Sequence, residues 1–429
     1  MPPTSTDPSR STSYRWWVVF MLWFVCLFNY ADRQAISSVF PELKREFGFD
    51  KVQLGLIGSA FMWVYALGGP FAGYVGDRVR RKDLILGGCL FWSGVTMLTG
   101  RCGRLWQFVA VRALEGFGET FYFPASMSLM SDYHGRATRS RALAFHQSSV
   151  YAGTIAGSWL GAWIAEHYGW RLGFYAFGGA GMVLALVLFA FLREPARGES
   201  EGRGPAEPPM SWREVGSALI RSPTALLLMG AFLAANFVAT IFLTWTPTFL
   251  VEKFGFRLAA AGLSGSVFIQ LASAVGSPLG GVLADRLGRR WAGGRIIVQA
   301  SGLLAGAGCV FLVGTAGDVG SLIRAMVLFG FCKGLYDSNI FASLYDVVEP
   351  RARATAAGLM NTVGWGGGAL GPVFVGWAAT HGRHPTEVEN MSEAIASCGL
   401  VYLAGAALLV LAAVFLGGRS EMSRGAGAR

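Results

Sequence analysis

GYVGDRVRRK, Gly73 to Lys82, and GVLADRLGRR, Gly281 to Arg290, read as two copies of one loop. Gly73, Asp77, Arg78 and Arg81 of the first match Gly281, Asp285, Arg286 and Arg289 of the second, and each copy directly follows a long apolar stretch. RALEGFG from Arg112 to Gly118 and RAMVLFG from Arg324 to Gly330 then match at nearly the same offset. Two local matches in register make the chain a duplication, the sequence mark of many transporter folds.

Around these copies the chain is apolar. Of its 429 residues 53% are apolar and 14% charged. A soluble protein carries roughly 25% charged residues, so most of this surface faces something other than water. Stretches such as Trp16 to Asn29, Leu84 to Gly100, Leu172 to Leu192, Pro223 to Phe249 and Ala394 to Leu416 approach the roughly 20 residues that a helix needs to cross a bilayer core. Twelve such spans are predicted, at roughly 15–38, 54–76, 83–100, 105–131, 142–165 and 172–192 in the first half. In the second they fall at roughly 223–250, 260–284, 295–314, 321–346, 354–380 and 394–416. The expected organisation is an N-terminal tail (1–14), a six-helix bundle (15–192), a linker (193–222), a second six-helix bundle (223–416) and a C-terminal tail (417–429). The linker opens with REPARGESEGRGPAEPP, Arg193 to Pro209, a Pro- and Gly-rich flexible segment. The stretch around Trp212 to Ile220 is expected to form an amphipathic helix on the membrane surface.

The net charge of +10 would suggest nucleic acid in a soluble protein, but the positions of the charges say otherwise. Basic residues gather in alternate loops: Arg78, Arg80, Arg81 and Lys82, then Arg136, Arg139 and Arg141, the linker, and Arg286, Arg289, Arg290 and Arg295. The opposite loops carry few, among them Lys44, Arg45, Lys51, Arg171 and Arg383. The positive-inside rule therefore places both termini in the cytoplasm of a bacterial-type inner membrane. The first 14 residues lack the run and cleavage site of a signal peptide, so helix 1 is expected to be its own insertion signal. Cys26, Cys89, Cys102, Cys309, Cys332 and Cys398 have no CxxC or metal spacing and read as helix-packing residues, so neither metal nor cofactor is expected.

The loop pattern G-x-L-A-D-R-x-G-R-R resembles the signature that major facilitator proteins carry between helices 2 and 3 and again between helices 8 and 9. The second copy fits throughout, while the first has Val75, Gly76 and Arg80 where the pattern has Leu, Ala and Gly. The resemblance implies an all-α membrane protein with twelve transmembrane helices in two pseudo-symmetric six-helix bundles. It also implies a gating role for Asp77 and Asp285, with Arg78, Arg81, Arg286 and Arg289 beside them. A carboxylate near a helix end can accept charge-assisted bonds from Arg and helix N-terminal N–H groups, which gives one state a latch. A purely topological basic cluster explains the arginines but not the aspartates.

Ionisable groups at membrane depth are costly and default to functional hypotheses. Helix 1 carries Asn29, Tyr30, Asp32 and Arg33, where Asp32 and Arg33 form either a functional pair or one snorkelling at a helix end. Helix 4 carries Arg112, Glu115, Gly116 and Glu119, whose spacing puts them on one face. Arg112 and Glu115 can compensate one another, which leaves Glu119 without an obvious local partner. Helix 10 carries Lys333, Tyr336, Asp337 and Asn339, and there a structural Lys333–Asp337 bridge stands beside a substrate role. Asn236, Thr240 and Thr244 on helix 7, Gln270, Ser273 and Ser277 on helix 8, and Asn361 on helix 11 suit a hydrated pathway or interhelical glue. His146, Gln147 and Tyr151 on helix 5 are open in the same way, with His146 leaning to a packed role. Gly153, Gly157 and Gly161 form a small-xxx-small ladder for close packing. The antiporter motif has Pro after its second glycine; Ser158 stands there instead, which weakens an antiporter reading.

N-Y-x-D-R, Asn29 to Arg33, with R-x6-E, Arg112 to Glu119, resembles the anion:cation symporter subgroup, which carries sugar acids and other organic carboxylates with protons. That likeness implies substrate contacts at Arg33 and Arg112 and coupling protons on Asp32 and Glu119, with Glu115 beside them. Tyr30, Tyr122, Gln147, Tyr151, Asn236, Gln270, Lys333 and Asn361 complete the expected solute site. Spinster-like lipid transporters resemble the chain through the same N-Y-x-D-R, through G-E-x-x-Y at Gly118, Glu119 and Tyr122, and through R-E-P-x-R-G at Arg193 to Gly198. That kinship implies an amphiphilic cargo such as a lysophospholipid; a non-transporting solute receptor is the third possibility. Absence of GxxxxGK[ST], HExxH and GxSxG argues against an enzyme. The expectation is a monomeric carrier of a small, anionic solute, working by alternating access on the proton gradient.

Overall fold

The computed structural model describes residues 12–76, 78–135, 138–195, 212–349 and 353–426, and among these it is helical with no strand. Asp77, Arg136, and Arg197 and Gly198 of the linker motif lie outside the described residues. The first half contains α1 (Thr12–Ser38), α2 (Phe40–Phe47), α3 (Lys51–Gly76), α4 (Arg81–Thr99), α5 (Leu105–Glu119), α6 (Tyr122–Tyr133), α7 (Arg139–Tyr168) and α8 (Trp170–Phe191). The second contains α9 (Trp212–Ile220), α10 (Pro223–Phe254), α11 (Leu258–Gly288), α12 (Gly294–Thr315), α13 (Val319–Asp337), α14 (Ile340–Val347), α15 (Arg353–His381) and α16 (Glu387–Ala426).

Setting aside the short α2 and α9, these helices make twelve passes, because the fourth pass of each half is broken in two. The break between α5 and α6 has a local cause. Pro124 has no N–H for the carbonyl of Thr120, and its ring crowds that carbonyl, so the helix restarts at Tyr122 with the proline in its first turn. Between α13 and α14 the side chains compete with the helix instead. Ser338 Oγ donates to the Leu335 carbonyl at 3.3 Å and Asn339 Nδ2 donates to Ser338 Oγ at 2.7 Å.

Seven passes are long and apolar enough to cross a membrane by length and composition. The other five are α1, α4, α5 with α6, α7 and α15. Two of these carry the buried charges of helices 1 and 4, and the others are diluted by glycine and small polar residues that packing hides from lipid.

Each half is a six-pass bundle. In the first, α1 packs on α7, α4 on α8 and α3 on α5; in the second, α10 packs on α15 and α16, α11 on α13 and α12 on α16. The bundles meet along two main seams, α3 on α15 and α7 on α11. Exchanging the halves turns one seam into the other, as the internal repeat requires. The α7 ladder fits against α1: a Cβ on Gly157 would lie 2.2 Å from the Ala31 carbonyl oxygen, so only glycine permits this approach. Ser158 reaches across the second seam and donates to the Gly262 carbonyl of α11 at 2.7 Å.

Candidate functional site

The close fit of α1 on α7 turns the Asn29-to-Arg33 face of α1 toward α5, and the three- and four-residue spacing of Arg112, Glu115 and Glu119 turns theirs toward α1. The result is a sealed cluster. Asp32 is 0% exposed, Glu115 and Glu119 1%, and Arg112 3%. The snorkelling alternative therefore falls away, since both side chains point inward, Arg33 to Glu119 and Asp32 into a buried site.

Arg112 pairs with Glu115 on its own helix, and its Nη2 donates to the Arg33 carbonyl at 3.4 Å. Thr96 of α4 donates to Glu115 Oε1 at 3.4 Å. Glu119 does have a partner, but one from α1: Arg33 donates to its Oε2 from Nη2 at 2.7 Å and from Nε at 3.2 Å. The same guanidinium lies 4.6 Å from the centre of the Tyr30 ring, 4.4 Å from Phe61, 5.0 Å from Tyr65 and 5.2 Å from Trp365. Both carboxyl oxygens of Asp32 are buried without a hydrogen-bond partner. An ionised carboxylate left so is costly, whereas a protonated one is a tolerable guest.

Beside the cluster lies a cleft between the bundles, lined by Tyr65, Thr120, Phe123, Asn361, Thr362 and Trp365 among others. The Arg33 guanidinium lies against the Tyr65 and Trp365 rings that line the cleft, and the Arg112 guanidinium lies 5.0 Å from the centre of the Phe61 ring. Of the other expected solute contacts, Asn361 lines this cleft, Gln147 is exposed and Tyr151 half-buried. Lys333 pairs with Asp337 within α13 and lies within electrostatic reach of Tyr151 from the opposite bundle. Gln270 is buried in α11. Asn236 Nδ2 donates to the Phe232 carbonyl at 2.9 Å, and Thr240 Oγ1 to the Gly368 carbonyl at 2.7 Å, so this stripe is partly interhelical glue. Tyr122 does not reach the cleft: its hydroxyl donates to the Leu22 carbonyl at 2.8 Å and lies 2.8 Å from His146 Nε2. The tyrosine ties the broken fourth pass to α1 and α7.

The loop residues assigned to gating are spread over two bundles. Arg81 binds Asp132, donates to Glu194 Oε1 at 3.1 Å and to Ser128 Oγ at 3.0 Å, all within the first bundle. Glu194 also accepts from the backbone N–H groups of Arg81 at 3.2 Å and Lys82 at 2.8 Å, which caps α4 and gives the REP segment a structural task. Asp285 accepts from Arg295 at 3.2 Å within the second bundle, while Arg78, Arg286 and Arg289 are exposed.

At the end of the molecule away from both termini, ion pairs join the bundles. Lys44 lies 2.5 Å from Glu387 and 3.6 Å from Glu252, and Lys51, itself 0% exposed, pairs with Glu252 and lies 3.9 Å from Glu387. On the other seam Glu166 of α7 pairs with Arg257 and accepts from the Ala259 N–H at 2.8 Å, capping α11 of the opposite bundle. Only the sparse basic residues of those loops, Lys44 and Lys51 among them, hinted at this latch. Trp365 and Tyr65 gave none, because aromatic residues in apolar helices ordinarily pack.

Two like bundles around a buried charge cluster, with a cleft between them, define a secondary transporter that spans the membrane. The chain belongs to the Major Facilitator Superfamily, whose family model matches residues 22–372 and 269–424. It is 28% identical over 403 residues to a protein of Bacillus subtilis (strain 168) named "Probable galactarate/D-glucarate transporter GudP", covering 87% of each chain. It is 30% identical over 378 residues to human protein spinster homolog 1, covering 82% of this chain and 70% of that one. Among solved structures, a bacterial homolog to the human lysosomal transporter spinster, inward-facing and unoccupied, superposes with a TM-score of 0.77 at 22% identity, over 96% of this chain and 98% of that one.

Proposed function

We propose that the protein is a proton-coupled symporter of a small organic anion, a sugar acid or related carboxylate, working by alternating access. The observation that carries this reading is the charge balance of the cluster. Asp32, Glu115 and Glu119 oppose Arg33 and Arg112, so full ionisation leaves one negative charge too many, and Asp32 is the acid with no bonded partner. One proton on Asp32 neutralises the cluster. Arg33, next to the cleft-lining rings of Tyr65 and Trp365, has a planar fork suited to a carboxylate, but it is engaged by Glu119. An arriving anion takes that place when Glu119 accepts a proton, which ties solute binding to proton binding. Arg112, paired with Glu115, positions Arg33 through its backbone carbonyl rather than meeting the solute first.

The likeness to a galactarate/D-glucarate transporter supports this cargo, and the asymmetry of basic loops supports an inner-membrane location with cytoplasmic termini. A likeness to spinster homolog 1, slightly higher in identity but less extensive, favours a second reading, an amphiphile such as a lysophospholipid. Purified protein in liposomes under an imposed pH gradient tests both. Sugar acids are expected to accumulate with alkalinisation outside, and Asp32→Asn or Glu119→Gln to abolish accumulation while leaving solute exchange. Lysolipid uptake without sugar-acid uptake would reverse the choice, and accumulation undiminished in both variants would remove the proton assignment.

A further inference from the structure

The charged cluster belongs wholly to α1 and α5, yet alternating access requires the second bundle to respond to its state. Among the described residues that meet the cluster's guanidinium groups through a ring, Trp365 comes from that second bundle. It lies over Arg33 at 5.2 Å, meets Tyr65 with ring centres 5.1 Å apart, and lines the cleft beside the cluster. One turn away on the same helix, Thr362 Oγ1 donates to the Ala66 carbonyl of α3 at 3.0 Å. At this depth the α3–α15 seam combines an apolar cluster of Phe61, Met62, Tyr65 and Ala369, against which Trp365 packs, with a few directional contacts, one of which depends on where Arg33 points.

We propose that Trp365 is the positioning residue through which the second bundle reads the charge state of Glu119. While Glu119 is ionised, its two bonds pin the guanidinium so that its face meets the indole. When Glu119 takes a proton, or an anion draws Arg33 into the cleft, the guanidinium turns and the cation–π contact is lost, which frees α15 to move. Glu119 is faced by Asp32, Arg33, Tyr30 and Cys26 from α1, by Cys89 from α4, by Arg112 and Glu115 on α5, and by Tyr65 from α3. None of these lies in the second bundle, so the neutral indole is the element that carries the message across. A contact of this kind changes a two-state ratio by about 2- to 30-fold.

This inference rests on the proton reading of Glu119, and its test needs no solute. Spin labels at Arg45→Cys and Arg383→Cys, both exposed and on opposite bundles, report separation of the far ends in full-length protein; the native cysteines are buried. Acidification is expected to shift the distance distribution of the parent protein, and E119Q to hold the acid distribution at every pH. W365L is expected to lose the pH response, and W365F, which keeps a π face, to regain most of it. A W365L that responds like the parent, or a W365F no better than W365L, overturns the relay while leaving the proton site standing. An E119Q that responds like the parent overturns both.

Discussion

The two bundles share a fold and differ in what they bury. The first holds Asp32, Arg33, Arg112, Glu115 and Glu119 in one sealed group, whereas the corresponding passes of the second hold Asn236, Thr240, Thr244 and a single Lys333–Asp337 pair whose acid is 36% exposed. Of the fourteen buried side-chain polar atoms without a partner among the described residues, eleven lie in the first bundle. Buried polar groups are nearly always satisfied in a static core, so such a concentration fits the proposed role of the first bundle, in which groups change partners. Duplication supplied the frame; the first copy carries most of the buried ionisable chemistry.

Removing one arginine from each bundle's charge set, or its nearest equivalent, should break the comparison most sharply. Arg112→Ala leaves Glu115 as an uncompensated buried acid and is expected to destabilise the protein by roughly 3–5 kcal/mol. Lys333→Ala, beside an acid that is 36% exposed rather than sealed, should cost at most about 1 kcal/mol. Thermal unfolding in detergent measures both, and equal losses would refute the claimed asymmetry.

The far-end latch offers a smaller contrast, between its two seams. Glu252→Gln leaves the buried Lys51 ammonium with Glu387 at 3.9 Å as its remaining carboxylate, so the closed far end is expected to weaken by about 3 kcal/mol. Cysteine labelling at the α3–α15 seam should accelerate; an unchanged rate would show that the ion pairs merely decorate a seam held by packing.

Glu166 gives the smallest effect and a pH signature. The Ala259 N–H, and after it the Arg257 guanidinium, hold its carboxyl below the ordinary glutamate value. Its contribution to closure, about 1 kcal/mol, is therefore complete above the ordinary value of about 4.3 and is lost as pH falls through the lowered one. Labelling at the α7–α11 seam should rise over that acid window in the parent protein and be flat in Glu166→Gln. Glu46 is a control: it is lowered first by Arg171, within its own bundle, and its titration should leave the seam unmoved.

Much of this architecture was legible residue by residue. The paired loops at Asp77 and Asp285 and the alternation of apolar spans fix a duplicated, membrane-spanning frame, because a helix in lipid must satisfy its own backbone and show an apolar surface long enough to cross. The spacing of Arg112, Glu115 and Glu119 likewise put them on one helical face, since helix periodicity is local. What only the tertiary structure decided were partners drawn from distant segments. Arg33 rather than a neighbour holds Glu119, Asp32 has no partner, Tyr122 braces α1 instead of lining the cleft, and Lys51 is buried against Glu252. Sequence spacing says which way a side chain leaves its helix; which charge waits there depends on how helices far apart in the chain are packed.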